Sequence, residues 1–415
     1  MIKMEYFIEG QYYPKQKVAK QLIESGCFSL DPKKECIARV SGIVFSKNIV
    51  YIFFPKGYVL SNDDKNNLYL GKLLFKTITK YKNSSMLTEE EASWLGSTNK
   101  NILYLDTIKW LITDYLSHGI FSISDRKYEL QGPGRIDWNK TIKNDLPFIT
   151  NNNLIYLNLI THKNENKNSI ISIIHENIVL EIIHKFGWLF DLNHPKEKTF
   201  INLTIEQQIL LLEKELRTTY KTRDIKLIQN LLIYLKDTEN NYFSIMLLTP
   251  YFYSIWEQML KLAFKHDSTL MGKVPKPYWY LTGNPFKLYT KQIPDILISK
   301  DNTLLIIDAK YYSIKPKNVK KFPGWESIVK QLYYNLSLNN IGFQKIKNIF
   351  IMPSSLQPKT YEYLGYSSVE DKENELGLVL AYSLDLQVIL ESYISGNRPT
   401  NILEQLVKDT YLRPN

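Results

Sequence analysis

The sequence predicts an α/β protein of the α+β kind. A C-terminal mixed β-sheet flanked by helices is preceded by a mainly helical connector and a small mixed α/β domain at the N-terminus. Three observations predict it. Residues 241–415 run helix, strand pair, helix, strand, strand, the order expected of one mixed sheet with helices on its faces. Residues 126–240 are dominated by long helical patterns, and residues 1–125 combine paired β-prone runs with helical spacing. The chain has 415 residues, 44% of them hydrophobic, which is too long for one ordinary core and apolar enough for two or three.

In the N-terminal segment, Ala38–Phe45 and Ile49–Phe54 are β-prone runs around Ser46-Lys47-Asn48 and read as a hairpin closed by Pro55-Lys56-Gly57. Leu68–Tyr81 has helical spacing. Thr88 and Glu91 have the spacing of a capping box, the hydroxyl capping backbone donors while the carboxylate reaches back, and open a short helix through Leu95. Ile102–Ser117 is apolar at helical intervals and stops near Gly119. No catalytic constellation stands out before residue 125.

The connector begins at Gln131–Thr141, where Gly132, Pro133 and Gly134 mark a turn. No Gly-Lys-Ser/Thr follows, and no Walker-type phosphate loop occurs elsewhere in the chain. Arg135 and Lys140 beside this turn are either phosphate contacts or, with Asp137, part of a pairing that shapes it. Ser169–Phe186 is a long apolar helix holding His175, Glu176 and His184. The histidines stand nine positions apart, about 180° on a helix, so they cannot share a metal. The second His that a zinc-protease helix needs four residues on is missing, so both read as core or surface histidines. Thr204 and Gln207 form a second capping box, opening a helix to about Thr218, and Asp224–Leu235 gives another.

The C-terminal segment carries the chemistry. Phe252–Phe264 sets Phe252, Ile255, Trp256, Met259 and Ala263 on one helix face, with Glu257 at its edge. Two short apolar runs, Ile296–Ile298 and Leu304–Ile307, flank polar turn residues. With Asp301-Asn302 as a two-residue turn, Lys300 faces Thr303 and, further out, Asp295 falls opposite Asp308. Side chains alternate along a strand, so Lys310 points the same way as Asp308. Two carboxylates and an ammonium thus meet on one face of a buried hairpin, where leaving them unpartnered is costly. A divalent metal resolves the conflict, and hard oxygen ligands suit Mg²⁺. Trp325–Tyr334 then begins a helix on which Gln331 and Tyr334, three apart, share a face. Lys347–Met352, ending at Pro353, and Gly377–Leu384 read as further strands.

Charge indicates the class of partner. The net charge is +10 and the pI about 9.1, favouring a polyanion such as DNA, RNA or an anionic membrane. Lys287 and Lys291 before the hairpin, and Lys315, Lys317, Lys320 and Lys321 after it, interleave with aromatics such as Tyr278, Trp279 and Tyr280. That suits either an electrostatic groove with stacking surfaces or solvated loops. Cys27 and Cys36 fit neither a compact zinc pattern nor a disulfide framework. With no signal-peptide apolar region and no apolar run of about 18 residues, a cytoplasmic setting without membrane association is expected.

The hairpin resembles the PD-(D/E)xK nuclease superfamily. Pro294-Asp295 supplies the PD, Asp308-Ala309-Lys310 supplies the DxK, and 12 residues lie between the aspartates. Over most of its length the chain is similar to the LlaJI-type restriction endonucleases, relatives of the McrC nuclease subunit. The stretches that carry this are Phe54–Tyr58, Gly134–Ile142, Ile293–Asp295, Asp308–Lys310 and Lys330–Tyr334. In McrC-like proteins the Tyr commonly stands four residues after the Gln, whereas here position 335 is Asn and Tyr334 stands at three.

The resemblance implies a restriction endonuclease that cleaves double-stranded DNA by Mg²⁺-dependent phosphodiester hydrolysis. Asp295 and Asp308 would be metal ligands, with Glu257 from the preceding helix as a further one. Lys310 would orient water or neutralise charge on the phosphoryl oxygens, and Gln331 would position the nucleophile or a phosphate. A separately encoded McrB-like AAA+ GTPase is the implied partner, and any NTP dependence would come from it. Residues 1–125 are then assigned to DNA recognition or partner docking, 126–240 to the connector and 241–415 to the nuclease. Three alternatives stay open: a DNA-repair or mobile-element nuclease of the same fold, a non-catalytic DNA-binding subunit of a nuclease complex, and an RNA nuclease.

Overall fold

The structure, a computed structural model, describes residues 3–408 except 33–34, 47–48, 85–86, 96–98, 151–152, 168, 193–198, 241–242, 283–285, 291–292, 314–321 and 340. Two compact units emerge. One combines Ile2–Asn101 with Phe243–Asn415, and the other is Ile102–Tyr242. This division differs from the three segments expected at 1–125, 126–240 and 241–415. Its cause is a pairing remote in sequence: Phe243–Thr249 runs antiparallel to Ser41–Ser46 and completes the N-terminal sheet. Local periodicity carries no record of such a partner.

In the unit made of both chain ends, the first sheet has the order Lys3–Ile8, Ile49–Phe54, Ser41–Ser46, Phe243–Thr249. The first pair is parallel and the others antiparallel. The hairpin expected here is present, but Ala38 ends a separate strand, Glu35–Ala38, of a small three-stranded sheet. Asp63 caps the helix Asp64–Lys82 by accepting from the Lys65 N–H, and the Thr88–Glu91 capping box opens Glu89–Trp94.

The second sheet has the order Ile296–Lys300, Thr303–Ala309, Lys345–Ser354, Val379–Asp385, Tyr361–Ser367. Its two outer pairings are antiparallel and its two inner ones parallel. The strand expected to stop at Pro353 continues through it, with Pro353 opposite Leu384. One face of this sheet packs on the helix Trp325–Leu338. Leu297, Leu304 and Ile306 meet Tyr334 and Leu338, while Phe350, Met352, Val379 and Ala381 meet Leu332. The helix Phe252–Ala263 buries the apolar stripe expected of it: Phe252, Ile255, Trp256, Met259 and Ala263.

The unit Ile102–Tyr242 is more than a helical connector. It holds the three-stranded sheet Ile123–Leu130, Ile160–Lys167, Arg135–Ile136 and the pair Phe148–Thr150 with Asn153–Ile155, besides the helices Ile170–Phe190, Ile205–Thr218 and Thr222–Asn240. Ile160–Lys167 reads ITHKNENK, without the apolar alternation that marks a strand. Its ladder is a matter of backbone pairing, which composition does not register. The Thr204–Gln207 capping box is present. His175 is a core residue: it is fully buried, and its Nδ1 accepts the Phe121 N–H at 3.0 Å. Burial pushes it down to about 4, with Asp114 opposing the shift and Arg223 adding to it. His184 is exposed. Among the described residues no helix is long and apolar enough to cross a membrane.

Candidate active site

The motif hairpin has the register read from its sequence. Lys300 pairs with Thr303 and Ile296 with Ile307. Asp301 (φ 49°) and Asn302 (φ 57°) both take the left-handed conformation that a two-residue hairpin turn demands, and Asp and Asn tolerate it better than most residues. Asp295 sits one residue before the first strand, opposite Asp308, so both carboxylates belong to the face that carries Leu297, Leu304 and Ile306.

Asp308 is buried and charged-paired. Its Oδ2 lies 2.6 Å from Lys310 Nζ and its Oδ1 3.7 Å from Lys330 Nζ. Asp295 Oδ2 accepts the Ala309 N–H at 2.9 Å, a bond across the hairpin to the residue between the two motif side chains. Burial, the Asp308 charge and the Glu257 charge together push the Asp295 carboxyl up to about 6, while the Ala309 N–H and Lys330 pull it down. Two acids held this close in a poorly solvated place repel one another. That conflict, in a set of hard oxygen donors, is what a bound divalent cation relieves. Mg²⁺ characteristically takes one or two carboxylates and completes its shell with water and substrate phosphate, so the Asp295–Asp308 pair fits it.

Glu257 is not gathered into that set. Its carboxylate pairs with Lys261 one turn along the same helix, and it reaches Asp295 only as a field. Among the described residues no group of three or more His, Cys, Asp or Glu side chains converges to hold a metal. Gln331 is 1% exposed, and its Nε2 donates to the Ile306 carbonyl at 2.7 Å. Its amide nitrogen therefore ties the helix Trp325–Leu338 to the motif strand two residues before Asp308. Tyr334 is a core residue, buried against Leu297, Leu304 and Ile306.

Lys330 is the site residue that sequence reading passed over. Partial burial draws its ammonium down, yet Asp308, followed by Tyr334 and Asp295, carries it above the ordinary lysine value. The available signal was its place one residue before Gln331, in a stretch already noted. What concealed it is that the helix face meeting Asp308 is set by docking and not by the helix's own period.

The basic residues divide. Lys291, Lys315, Lys317, Lys320 and Lys321 lie outside the described residues. Lys287 is exposed on a two-stranded ribbon, Tyr278–Tyr280 with Lys287–Tyr289, its Nζ 4.2 Å from the centre of the Tyr278 ring. Trp279, Tyr280 and Tyr289 are more than 60% exposed on the same ribbon (65%, 67% and 63%). Arg135 and Lys140 belong to the unit Ile102–Tyr242. Arg135 is exposed, and Lys140 Nζ lies 3.0 Å from the Tyr128 ring centre. Asp137 caps the helix Trp138–Asn144 through the Lys140 N–H, so its carboxylate shapes the turn as a helix cap.

Comparison with known proteins covers most of the chain. The refined half-complex of McrB AAA+ hexamers with bound McrC from Thermococcus gammatolerans aligns with a TM-score of 0.34 at 14% identity, over 96% of this chain and 100% of that one. The Thermococcus gammatolerans McrBC complex gives 0.26 at 12% identity, over 62% of this chain and 85% of that one. These low scores leave kinship to rest on sequence. The type II restriction enzyme BsuMI component YdjA from Bacillus subtilis (strain 168) is 27% identical over 429 residues, spanning 96% of this chain and 89% of that protein. The sequence model of the LlaJI restriction endonuclease family matches residues 40–384, a range that holds the motif hairpin, Glu257 and the Lys330–Gln331 helix. By that match the chain belongs to the LlaJI restriction endonuclease family.

Proposed function

We propose that this restriction endonuclease cleaves double-stranded DNA by metal-dependent phosphodiester hydrolysis at the Asp295–Asp308–Lys310 site. The observation that carries the reading is the pairing of a buried aspartate, Asp308, with the half-buried Asp295 across one hairpin, with Lys310 bound to the first of them. Asp295 and Asp308 would hold Mg²⁺, which when bound polarises a phosphate and lowers the pKa of water. Lys310, ion-paired with Asp308, stabilises negative charge growing on the phosphoryl oxygens or orients the attacking water. Lys330, on the opposite side of the Asp308 carboxylate, adds a second positive charge to the same region. Gln331 holds the helix that presents Lys330. Glu257 contributes charge to the field at Asp295.

The exposed ribbon that carries Lys287, Trp279 and Tyr280 supplies a cationic and aromatic surface suited to a nucleic-acid strand. From Ser268 to Pro294 there are four lysines, Lys273, Lys276, Lys287 and Lys291, and no acidic residue. That charge bias favours the phosphate backbone as its ligand. A separately encoded McrB-like AAA+ GTPase is part of the reading, because the chain has no nucleotide-binding loop of its own.

Methylated and unmethylated plasmid incubated with the purified protein and Mg²⁺, with and without an McrB-like AAA+ GTPase, tests both parts. Cleavage that needs Mg²⁺ supports the site, and cleavage that also needs the second protein with GTP supports the partner. DNA binding without cleavage under every condition points to a non-catalytic subunit instead.

A further inference from the structure

The segment Phe54–Tyr58 and the buried Glu9 have no part in the chemistry above, yet both converge on the residue after Lys310. Regular strand structure ends at Ala309, so beyond the strand the Lys310 backbone is held by its N–H to the Ile351 carbonyl at 2.9 Å. Tyr311 then turns to the opposite side and is buried. Its hydroxyl donates to Glu9 Oε2 at 2.7 Å and accepts the Lys56 N–H at 2.9 Å. Ser41 Oγ donates to the same Glu9 oxygen at 2.6 Å, and Lys56 Nζ lies 3.4 Å from the other. Glu9, 5% exposed, thus has both oxygens engaged by donors from three separate places in the chain.

Packing repeats the connection. The Tyr311 ring lies 5.6 Å from Phe252, on the helix that carries Glu257, and Lys56 Nζ lies 4.9 Å from the Tyr311 ring centre. Gly57 (φ +89°) passes so close to the neighbouring strand that a Cβ there would stand 2.2 Å from the Pro353 carbonyl oxygen. The Val59 N–H donates to Ser355 Oγ at 3.1 Å. The loop is fitted onto the ends of the nuclease strands, and Tyr311 is its link to the motif.

We propose that Tyr311, locked by Glu9, Ser41 and the Phe54–Tyr58 loop, is a positioning residue that fixes Lys310 against Asp308 for cleavage. The N-terminal sheet is then a built part of the catalytic centre. A buried carboxylate sharing three donors is costly to assemble and strongly directional once assembled, which suits it to fixing one backbone position. The proposal rests on the nuclease reading, through Lys310.

Tyr311→Phe removes only the hydroxyl and keeps the ring against Phe252 and Lys56. It is expected to lower the single-turnover cleavage rate in Mg²⁺ on the order of 10- to 100-fold, as a small misplacement of a catalytic group does. DNA affinity in a gel shift should stay within about twofold, because the phosphate contacts are untouched. Glu9→Gln, which retains part of the hydrogen bonding, should fall between Tyr311→Phe and wild type. A cleavage rate in Tyr311→Phe equal to wild type, while Lys310→Ala is inactive, overturns the latch and leaves the active site standing. A loss of DNA affinity equal to the loss of rate also overturns it, since that marks general disruption. A wild-type rate in Lys310→Ala overturns the nuclease reading and the latch with it.

Discussion

Each unit buries a titratable group, and the two folds treat it in opposite ways. In the unit formed by both chain ends, Asp308 is buried with an ammonium group beside each of its oxygens, Lys310 and Lys330. In the unit Ile102–Tyr242, His175 is equally buried but kept neutral, its Nδ1 accepting a backbone N–H and its pKa pushed down to about 4. Arg223 is meanwhile taken up by Asp114 in a bidentate pair at 2.9 and 2.8 Å. Burial alone favours the neutral form of any such group. Charge persists inside a protein only where other side chains are arranged to hold it, and that arrangement is what distinguishes a chemical site from a core.

The comparison breaks most visibly at Asp308. Replacing it with Asn keeps the shape, removes the charge and strips Lys310 of its partner. Cleavage in Mg²⁺ should fall by at least the order of 10²–10³ that loss of a key electrostatic contact costs, while gel-shift affinity for DNA stays near wild type. Asp308→Ala should be at least as damaging.

His175 sharpens the other side. Its folded pKa lies below its ordinary value of 6.5, so the unfolded chain binds the proton first as pH falls. The neutral histidine's contribution is therefore intact above about 6.5 and lost progressively toward about 4. Up to about 3 kcal/mol is at stake from a shift of this size. Thermal melts of wild type at steps between pH 7.5 and 4.5 should show falling stability, and His175→Gln should flatten that slope. An unchanged slope would mean that other groups dominate acid unfolding.

The smallest expected effect is on the exposed ribbon, where no charge is buried. Trp279→Ala should weaken DNA binding on the order of tenfold, within the range for loss of one stacking platform. Lys287→Ala should reduce the salt dependence of binding by about one phosphate contact. Neither should alter the rate of cleavage once DNA is saturating. If both variants cut and bind as wild type, the ribbon faces something other than DNA.

How far the sequence could be read follows the same physics. The motif hairpin was legible because its turn, its apolar runs and its register are all local. Alternation alone put Asp295, Asp308 and Lys310 on one face. The capping boxes at Thr88 and Thr204 were legible for the same reason. Lys330, the Gln331 bond to Ile306 and the Glu9–Tyr311 contact were not, since each depends on how distant elements dock. The sheet at residues 123–167 was hidden by its own polarity. The union of Ile2–Asn101 with Phe243–Asn415 was hidden because a strand gives no sign of which partner it will pair with.

Lys310→Ala, measured beside wild type in single-turnover cleavage of target DNA with Mg²⁺ and by gel shift on the same DNA, tests the central claim most directly. Wild-type cutting that EDTA abolishes, with Lys310→Ala binding normally and cutting on the order of 10²–10³ more slowly, is the predicted result. Cleavage by Lys310→Ala at the wild-type rate would contradict the account and place the catalytic centre elsewhere in the chain.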